Sequence, residues 1–181
     1  QQQWVSYYQA SPDAYENRPF AIAVDASGNV YVTGTSSGAE TREDYATVKY
    51  NASGVEEWVA RFDGIGHADD WGGAIAVDED GNVYVTGSSA GGLYFMTAKY
   101  SAAGDQLWIQ SFADIGDGDA AADIVVDHDG NVYVTGYNVE TSTGFDIVTI
   151  KYSPGGVELW VERFDSANGE DVPAAIGSDA S

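Results

Sequence analysis

The sequence has no cysteine and few basic residues, and each shortage excludes a class of chemistry. Without cysteine there are no disulfides, no thiolate nucleophile and no zinc–thiolate site. Twenty-nine acidic residues against seven basic ones give a formal net charge of −22 at pH 7. So negative a chain repels nucleic acid and anionic membrane surfaces, and neither is expected as a partner, whereas cations and basic protein surfaces are compatible with it.

Long apolar runs are also missing. No stretch approaches the roughly 20 apolar residues that a membrane-spanning helix requires, so membrane insertion is not expected. Apolar residues nevertheless make up 44% of the chain, which is too many for a disordered segment. The chain opens on Gln1-Gln2-Gln3 without a signal peptide, which agrees with a freshly processed amino terminus.

One heptapeptide, Gly-Asn-Val-Tyr-Val-Thr-Gly, occurs three times unchanged, at 28–34, 81–87 and 130–136. An Asp precedes each copy, and a Lys-Tyr pair and then a Trp follow it, with a period of about fifty residues. In every copy the last Gly lies nine positions after the Asp, and the Trp lies nine positions after the Lys. The distances between these segments vary. Constant distances indicate tight hairpins, and variable ones indicate loops that tolerate insertion.

Each repeat therefore contains two predicted hairpins. In the first copy, strands a and b (21–24 and 29–33) and strands c and d (45–50 and 55–62) flank two Gly-containing turns. Four short strands, repeated, are typical of a β-propeller blade. Because strand direction alternates, the a–b and c–d turns share one face of the disc, and the variable b–c and d–a loops share the other. We expect any ligand site on the face with the variable loops.

These motifs resemble the β-propeller repeats called SBBP repeats, whose units look like D-A-x-G-N-x-Y-V-T-G followed by D-x-A-T-V-K-Y-x-x-x-G and a Trp. Residues 25–34, 44–54 and Trp58 match that pattern, and the resemblance covers nearly the whole chain. It implies an all-β propeller. It also implies a large secreted or surface protein, so we expect an extracellular or cell-surface location.

The repeats are too few for a closed ring, since propellers typically have four to eight blades. The predicted parts are an outer strand in 1–13, complete blades at 14–64, 65–114 and 115–165, and the first strand of a further blade in 166–181. The unpaired terminal strands favour either the remaining blades of a longer chain or self-association into a ring or filament. The residues expected in these assembly strands are Trp4, Val5, Tyr7, Ala175 and Ile176.

The lysines and most of the tryptophans are predicted to have structural roles. Counting back across the c–d turn places Lys49 opposite Glu56 and Lys151 opposite Glu158, as cross-strand pairs worth about 0.2–1 kcal/mol. The Trp of each strand d alternates with charged neighbours and is expected to pack between blades. Trp71 differs, because it lies beside Asp69 and Asp70 at the end of a variable loop. These three residues are the predicted ligand-binding group, for a glycan among other ligands.

The acidic residues form two groups. The first Asp of each a–b turn is expected to cap its own turn, because the further acid of a calcium loop is missing. The second group lies in Gly-containing d–a loops that have the backbone freedom to wrap an ion, and it predicts calcium in at least one of them. The candidate ligands are Asp63, Asp69, Asp70, Asp114, Asp117, Asp119, Asp165, Glu170 and Asp171.

Nothing in the sequence is typical of an enzyme. His67 and His128 are predicted on opposite faces, and neither a Gly-x-Ser-x-Gly element nor a phosphate loop is present. Asn51 begins an Asn-Ala-Ser glycosylation pattern in an exposed turn. We therefore predict a non-enzymatic structural or adhesive scaffold that self-assembles. The alternative is a ligand-binding module of a larger surface protein, which would bind a glycan, a protein or calcium through the variable loops.

Overall fold

The computed structural model describes residues 3–10, 16–37, 42–64, 67–113, 118–140, 144–166 and 169–179. These residues form twelve strands in three four-stranded antiparallel sheets, which are the predicted blades. The all-β prediction of an incomplete propeller is confirmed: within the described ranges no sheet closes on itself. The same ranges contain no helix that could span a membrane.

Strands pair in chain order within each blade. Blade 1 consists of β1 (Asn17–Val24), β2 (Val30–Ser37), β3 (Glu43–Tyr50) and β4 (Glu56–Phe62). Blade 2 consists of β5 (Trp71–Val77), β6 (Val83–Ser89), β7 (Tyr94–Tyr100) and β8 (Gln106–Phe112). Blade 3 consists of β9 (Ala120–Val126), β10 (Val132–Glu140), β11 (Gly144–Tyr152) and β12 (Glu158–Phe164).

The heptapeptide distributes its side chains between the two faces of a blade. Val30 and Val32 point to one face, which we call the front, and Tyr31 and Thr33 point to the other, which we call the back. The hydroxyl of Thr33 lies 3.2 Å from that of Thr47 on the next strand. Blades 2 and 3 repeat this buried hydroxyl pair. The repeated motif therefore serves the fold.

The last Gly of the motif lies inside strand b, not at its end. A β-bulge in strand a, between Pro19 and Ala21 in blade 1, brings the strand a backbone across it. A Cβ on Gly34 would overlap the carbonyl oxygen of Arg18, and equivalent overlaps arise at Gly87 and Gly136. Only a residue without a side chain fits there, which explains why this Gly is present in all three copies.

The blades stack front to back, and the core lies between the sheets. Val83 and Val85 on the front of blade 2 are fully buried against Tyr31 and Tyr45 on the back of blade 1. The front of blade 3 packs in the same way against Tyr84 and other residues on the back of blade 2. Each interface therefore joins an aliphatic front to an aromatic back, and each large side chain buried there contributes about 1.5–3 kcal/mol.

Residues 3–10 and 169–179, the main described parts of the terminal segments, belong to no sheet, whereas a strand was predicted in each segment. A strand requires a hydrogen-bonded neighbour, and β3, β7 and β11 already pair with the d strands of their own blades. Exposure nevertheless alternates from Trp4 to Gln9, as in a strand with one buried side.

The predicted lysine pairing is wrong by one residue. Lys49 lies opposite Trp58, and Tyr50 lies opposite Glu56, because the register of the hairpin shifts after Lys49. Blade 3 has the same shift, so Lys151 lies opposite Trp160 and not Glu158. The shift places a lysine beside a tryptophan on the back of each blade.

The first Asp of each a–b turn caps that turn, as predicted. The carboxylate of Asp25 accepts hydrogen bonds of 2.9 Å from the main chain of Ser27 and Asn29, and further bonds from the Asn29 and Tyr31 side chains. Asp127 accepts an equivalent set. Burial alone would raise the pKa of both carboxyls, but these hydrogen bonds outweigh it and hold each pKa below its usual value.

Acid should destabilise the fold through these turns. A carboxyl whose pKa is lower in the folded state stabilises above its unfolded pKa of about 3.9, and this stabilisation is lost as pH falls through the folded pKa. At pH 6 we expect the double variant Asp25→Ala, Asp127→Ala to melt at a lower temperature than the parent. Its free energy of unfolding should be lower by about 1–3 kcal/mol per turn. Between pH 5 and pH 3 the free energy of unfolding of the double variant should fall by less than that of the parent, because the two carboxyls are absent.

Asp105→Ala, at an exposed position in a c–d turn, is the control and should follow the parent. Equal acid losses in the parent and the double variant would contradict the assignment of this stability to the turns.

Candidate functional site

A tryptophan latch closes the interface between blades 1 and 2. The indole Nε1 of Trp58 donates a 3.1 Å hydrogen bond to the carbonyl of Ala102 in the c–d turn of blade 2. Lys49 Nζ donates to the same oxygen at 3.2 Å. The indole lies directly on Gly104, where a Cβ would be 2.8 Å from the Trp58 ring. One carbonyl therefore accepts two donors from the preceding blade.

The same latch closes the interface between blades 2 and 3. Trp108 Nε1 donates to the carbonyl of Pro154 at 3.1 Å, and Lys99 Nζ donates to it at 3.4 Å. Gly156 lies under this indole as Gly104 lies under the other. The indole, the lysine and the turn thus recur as a unit at every boundary between described blades.

At the front of blade 1, Trp4 occupies the equivalent position. Its Nε1 donates a 3.2 Å hydrogen bond to the carbonyl of Ala52, and its ring lies on Gly54. Ser6 Oγ donates to the Gly54 carbonyl. Residues 3–10 therefore lie where strand d of a preceding blade would lie, although they belong to no sheet.

At the back of blade 3, the carboxyl-terminal segment takes the position of strand a of a following blade. The main-chain N–H of Asp171 donates to the carbonyl of Phe145 at 2.7 Å. Asp119 and Asp70 make the equivalent bonds, of 2.7 Å and 2.6 Å, at the starts of blades 3 and 2. The N–H of Ile176 also donates to the Asp123 carboxylate of β9.

The outer faces of the stack are incompletely covered. On the front of blade 1, Ile22 and Val24 are 66% and 61% exposed. Ile22 lines an apolar groove together with Val30 and Val32. On the back of blade 3, Trp160 is 38% exposed. The equivalent faces inside the stack are buried.

Two acidic clusters lie at equivalent places on the face with the variable loops. Carboxylate oxygens of Asp44, Asp63 and Asp70 lie within 4.8 Å of one another. So do those of the second set, Asp146, Asp165 and Asp171. Each set combines a residue from strand c, one from the d–a loop and one at the end of that loop.

In the first cluster, hydrogen bonds from the protein hold the most buried carboxylate. Asp70 is fully buried and accepts hydrogen bonds from Gly64 N, Ser89 Oγ and Ala90 N. Asp44 lies 2.7 Å from the Arg61 guanidinium. Arg61 thus pairs with one of the three carboxylates, and the cluster of three acids and one guanidinium keeps a net negative charge.

Blade 2 lacks this arrangement. Tyr94, Ser111 and Ala113 stand where blade 1 has Asp44, Arg61 and Asp63, whereas blade 3 has Asp146, Arg163 and Asp165. The last acid of the set is the one present at all three boundaries, as Asp70, Asp119 and Asp171. The other three positions differ together in the middle copy.

Comparison with protein-family models matches residues 18–40 and 57–95 to the SBBP beta-propeller repeat. The chain is therefore similar to this repeat over parts of blades 1 and 2. The match agrees with the propeller architecture of those blades.

Among solved structures, one described as the crystal structure of the eukaryotic initiation factor is similar, with a TM-score of 0.55 and 9% sequence identity. The match covers 85% of this chain and 34% of that chain, so this chain spans about a third of the length of that structure. At this identity the likeness shows the fold alone. No curated protein matches the chain.

The predicted ligand-binding residues have structural contacts within the blades. Trp71 begins β5, and its indole donates a 2.9 Å hydrogen bond to Glu43. Asp69 lies 3.8 Å from Arg42, and its carbonyl accepts a bond from Gly91. Asp70 is buried, and both of its carboxylate oxygens accept hydrogen bonds from the protein.

The predicted metal ligands are only partly brought together. Asp63, Asp70, Asp165 and Asp171 lie in the two clusters, whereas the structure places Asp69 and Glu170 outside both. Asp119 lies at a boundary where the described residues form no such cluster. Asp114 and Asp117 lie outside the described residues. Sequence reasoning missed Asp44 and Asp146 because they lie in strands. Their replacement by a tyrosine in the middle copy is the signal that could have identified them.

The predicted glycosylation residue, Asn51, stabilises its turn. Its side-chain oxygen accepts hydrogen bonds from the N–H groups of Ser53 and Val55. Ser101 and Ser153 hold the equivalent turns of blades 2 and 3 with their hydroxyls. Glycosylation of Asn51 stays a prediction.

The latch should be measurable as stability. Replacing Trp108 with Phe removes the indole donor, so Trp108→Phe should lower the free energy of unfolding by about 1–2 kcal/mol in chemical denaturation. Trp160→Phe is the matched control, because it changes the same repeat position where no following blade is described. At low protein concentration its stability should equal that of the parent. Equal losses in both variants would contradict the latch.

Proposed function

We propose that this chain is a non-enzymatic, extracellular structural scaffold that assembles by stacking the back of its blade 3 on the front of blade 1 of a second copy. The observation that carries the proposal is a repetition. The chain makes the same front-to-back interface twice internally, and its two ends present the two halves of that interface again.

The end faces have the chemistry of the buried ones. Valines and isoleucines line the front of blade 1, as they line the fronts of the blades behind it. On the back of blade 3, Tyr133 and Ile147 occupy the positions of Tyr84 and Phe95, but they are only half-buried. Docking of one end on the other would bury both sets, and burial of apolar area is the main driving force of association.

A head-to-tail contact of this kind joins two different surfaces, so each added copy presents a fresh end. The assembly closes into a ring if the rotation per copy allows it, and it otherwise continues as a filament. Either product would serve a structural or adhesive role at a cell surface. The family resemblance supports that location.

Electrostatic repulsion opposes the assembly. Each copy has a formal charge of −22, so copies repel one another at low ionic strength. Added salt shortens the range of this repulsion to about 8 Å at 0.15 M. Association should therefore strengthen with salt, whereas contacts that depend on ion pairs would weaken.

Several contacts support a non-enzymatic role. His67 lies 2.5 Å from Asp63, whereas His128 lies 3.9 Å from Glu79, so the two imidazoles belong to different surroundings. The capping aspartates and the buried Asp70 use their oxygens in hydrogen bonds to the protein. These groups hold the backbone and are not arranged as an acid–base pair.

Sedimentation equilibrium of the purified chain tests the proposal. The average mass of the parent should rise with protein concentration and with salt. Ile22→Lys places a charge on the exposed front of blade 1 and should keep the protein monomeric without unfolding it. Leu107→Lys, at an apolar side chain that is 53% exposed on blade 2, is the control and should behave as the parent.

A parent that stays monomeric at every concentration and salt would overturn self-assembly. The end faces would then fit the remaining blades of a longer polypeptide.

A second candidate function is calcium binding at the two acidic clusters. Calcium takes six to eight oxygen ligands, and each cluster supplies carboxylates from separate elements, with carbonyls and waters needed for the rest. The observation that favours it is the recurrence of the whole group at blades 1 and 3 and its absence from blade 2. The nearby loops containing Trp71 and Asp69 would bind a glycan or a protein on the same face.

Calcium should raise the melting temperature relative to excess chelator, because a ligand that binds the native state stabilises it. The double variant Asp63→Asn, Asp165→Asn should lose this rise, because it removes one charge from each cluster. Asp105→Asn, outside the clusters, should keep it. Identical melting curves of the parent with calcium and with chelator would reject calcium binding.

A further inference from the structure

We propose that the c–d turn of blade 1 is a socket for Trp160 and Lys151 of a second copy, and that the chain's own Trp4 occupies this socket until that copy docks. The inference rests on the stacking proposed above. It identifies the contact that sets the register between copies. It also identifies the segment containing Trp4 as the competitor of the second copy for the same socket.

The socket has the geometry of the two internal ones. Its acceptor is the Ala52 carbonyl, its floor is Gly54 and its wall is Tyr50. The ring centroids of Trp4 and Tyr50 are 6.2 Å apart. The internal counterparts, Trp58 with Tyr100 and Trp108 with Tyr152, are 6.3 Å and 6.1 Å apart. An indole therefore enters all three sockets at the same place.

The donor half is already formed on the back of blade 3. The rings of Trp160 and Tyr133 are 6.1 Å apart, and the equivalent pairs in blades 1 and 2 are both 6.2 Å apart. Lys151 Nζ lies 4.8 Å from the Tyr133 ring centroid, as Lys99 Nζ lies 4.9 Å from that of Tyr84. Trp160 and Lys151 thus keep the arrangement that binds a turn carbonyl elsewhere in the chain.

Trp4 fills the socket incompletely. A carbonyl oxygen has two lone pairs, and the internal sockets use both, for an indole and an ammonium. Trp4 supplies only the indole. Its segment is held otherwise by the bond from Ser6 to Gly54 and by Tyr8, which accepts a 3.0 Å bond from Arg61. Blade 3 of a second copy would supply both donors, Trp160 and Lys151, together with a whole sheet face.

Two indoles cannot lie on Gly54 together, so docking requires residues 3–10 to leave the groove. The carboxyl-terminal segment must also move, because it lies where β1 of the second copy would lie. Its described anchors are the main-chain bonds of Asp171 and Ile176. Both terminal segments therefore act as placeholders for elements of a neighbouring blade.

Sedimentation equilibrium of full-length variants, at one salt concentration, tests the competition. Trp4→Ala should strengthen association about tenfold, which corresponds to about 1.4 kcal/mol for one indole contact no longer displaced. Trp160→Ala should weaken it by a similar factor or more. The double variant should associate more weakly than Trp4→Ala. Trp71→Ala is the matched control for loss of a tryptophan and should associate as the parent does.

The outcomes separate this inference from the stacking itself. If Ile22→Lys abolishes association but Trp4→Ala leaves it unchanged, stacking stands and competition by Trp4 is wrong. If Trp4→Ala weakens association, the segment is part of the joint and the inference is overturned. If no variant and no parent associates, both proposals fail.

Discussion

The contact between a tryptophan and the next turn along the stack is the interaction on which this architecture depends. A four-stranded blade has two apolar faces and cannot bury either alone, so its stability comes from its neighbours. The latch fixes how the neighbours meet. It joins the outer strand of one blade to the c–d turn of the next and sets the register in which valines meet tyrosines. The glycine in each turn is required because an indole lies on it.

This constraint also explains why candidate functions lie at the ends of the stack and at the variable loops. The turn side of each blade is occupied by capping aspartates, latches and lysines that repeat without change in role. Loops on the other side differ in length, and there the acidic clusters appear at two boundaries and are replaced at the third. At the two ends the interface is present in halves, so the same physical chemistry that holds the chain together is available for assembly.

The sequence predicted the strands, the polarity of the disc and the role of the strand d tryptophans, because these follow from constant spacing and local turn chemistry. It did not predict the register of Lys49, since the shift that follows it has no sequence signature as clear as a turn. Nor did it identify Asp44, which looks like an ordinary strand residue until the fold brings it beside Asp63. The terminal segments align with strand d and strand a of the repeats, and this much follows from the sequence. Their contacts with blade 1 and blade 3 depend on the folded arrangement.

The most direct test of the central claim is a disulfide between copies, which the absence of cysteine makes unambiguous. Within one chain, Trp58 Cβ lies 3.2 Å from the position of a Cβ on Gly104, close to the separation of about 3.5–4.5 Å in disulfides. If the ends repeat the internal interface, a Trp160→Cys variant mixed with a Trp4→Ala, Gly54→Cys variant should form a mixed disulfide under mild oxidation. The internal pair Trp58→Cys, Gly104→Cys is the positive control. Efficient internal bonding without any mixed disulfide would contradict the account.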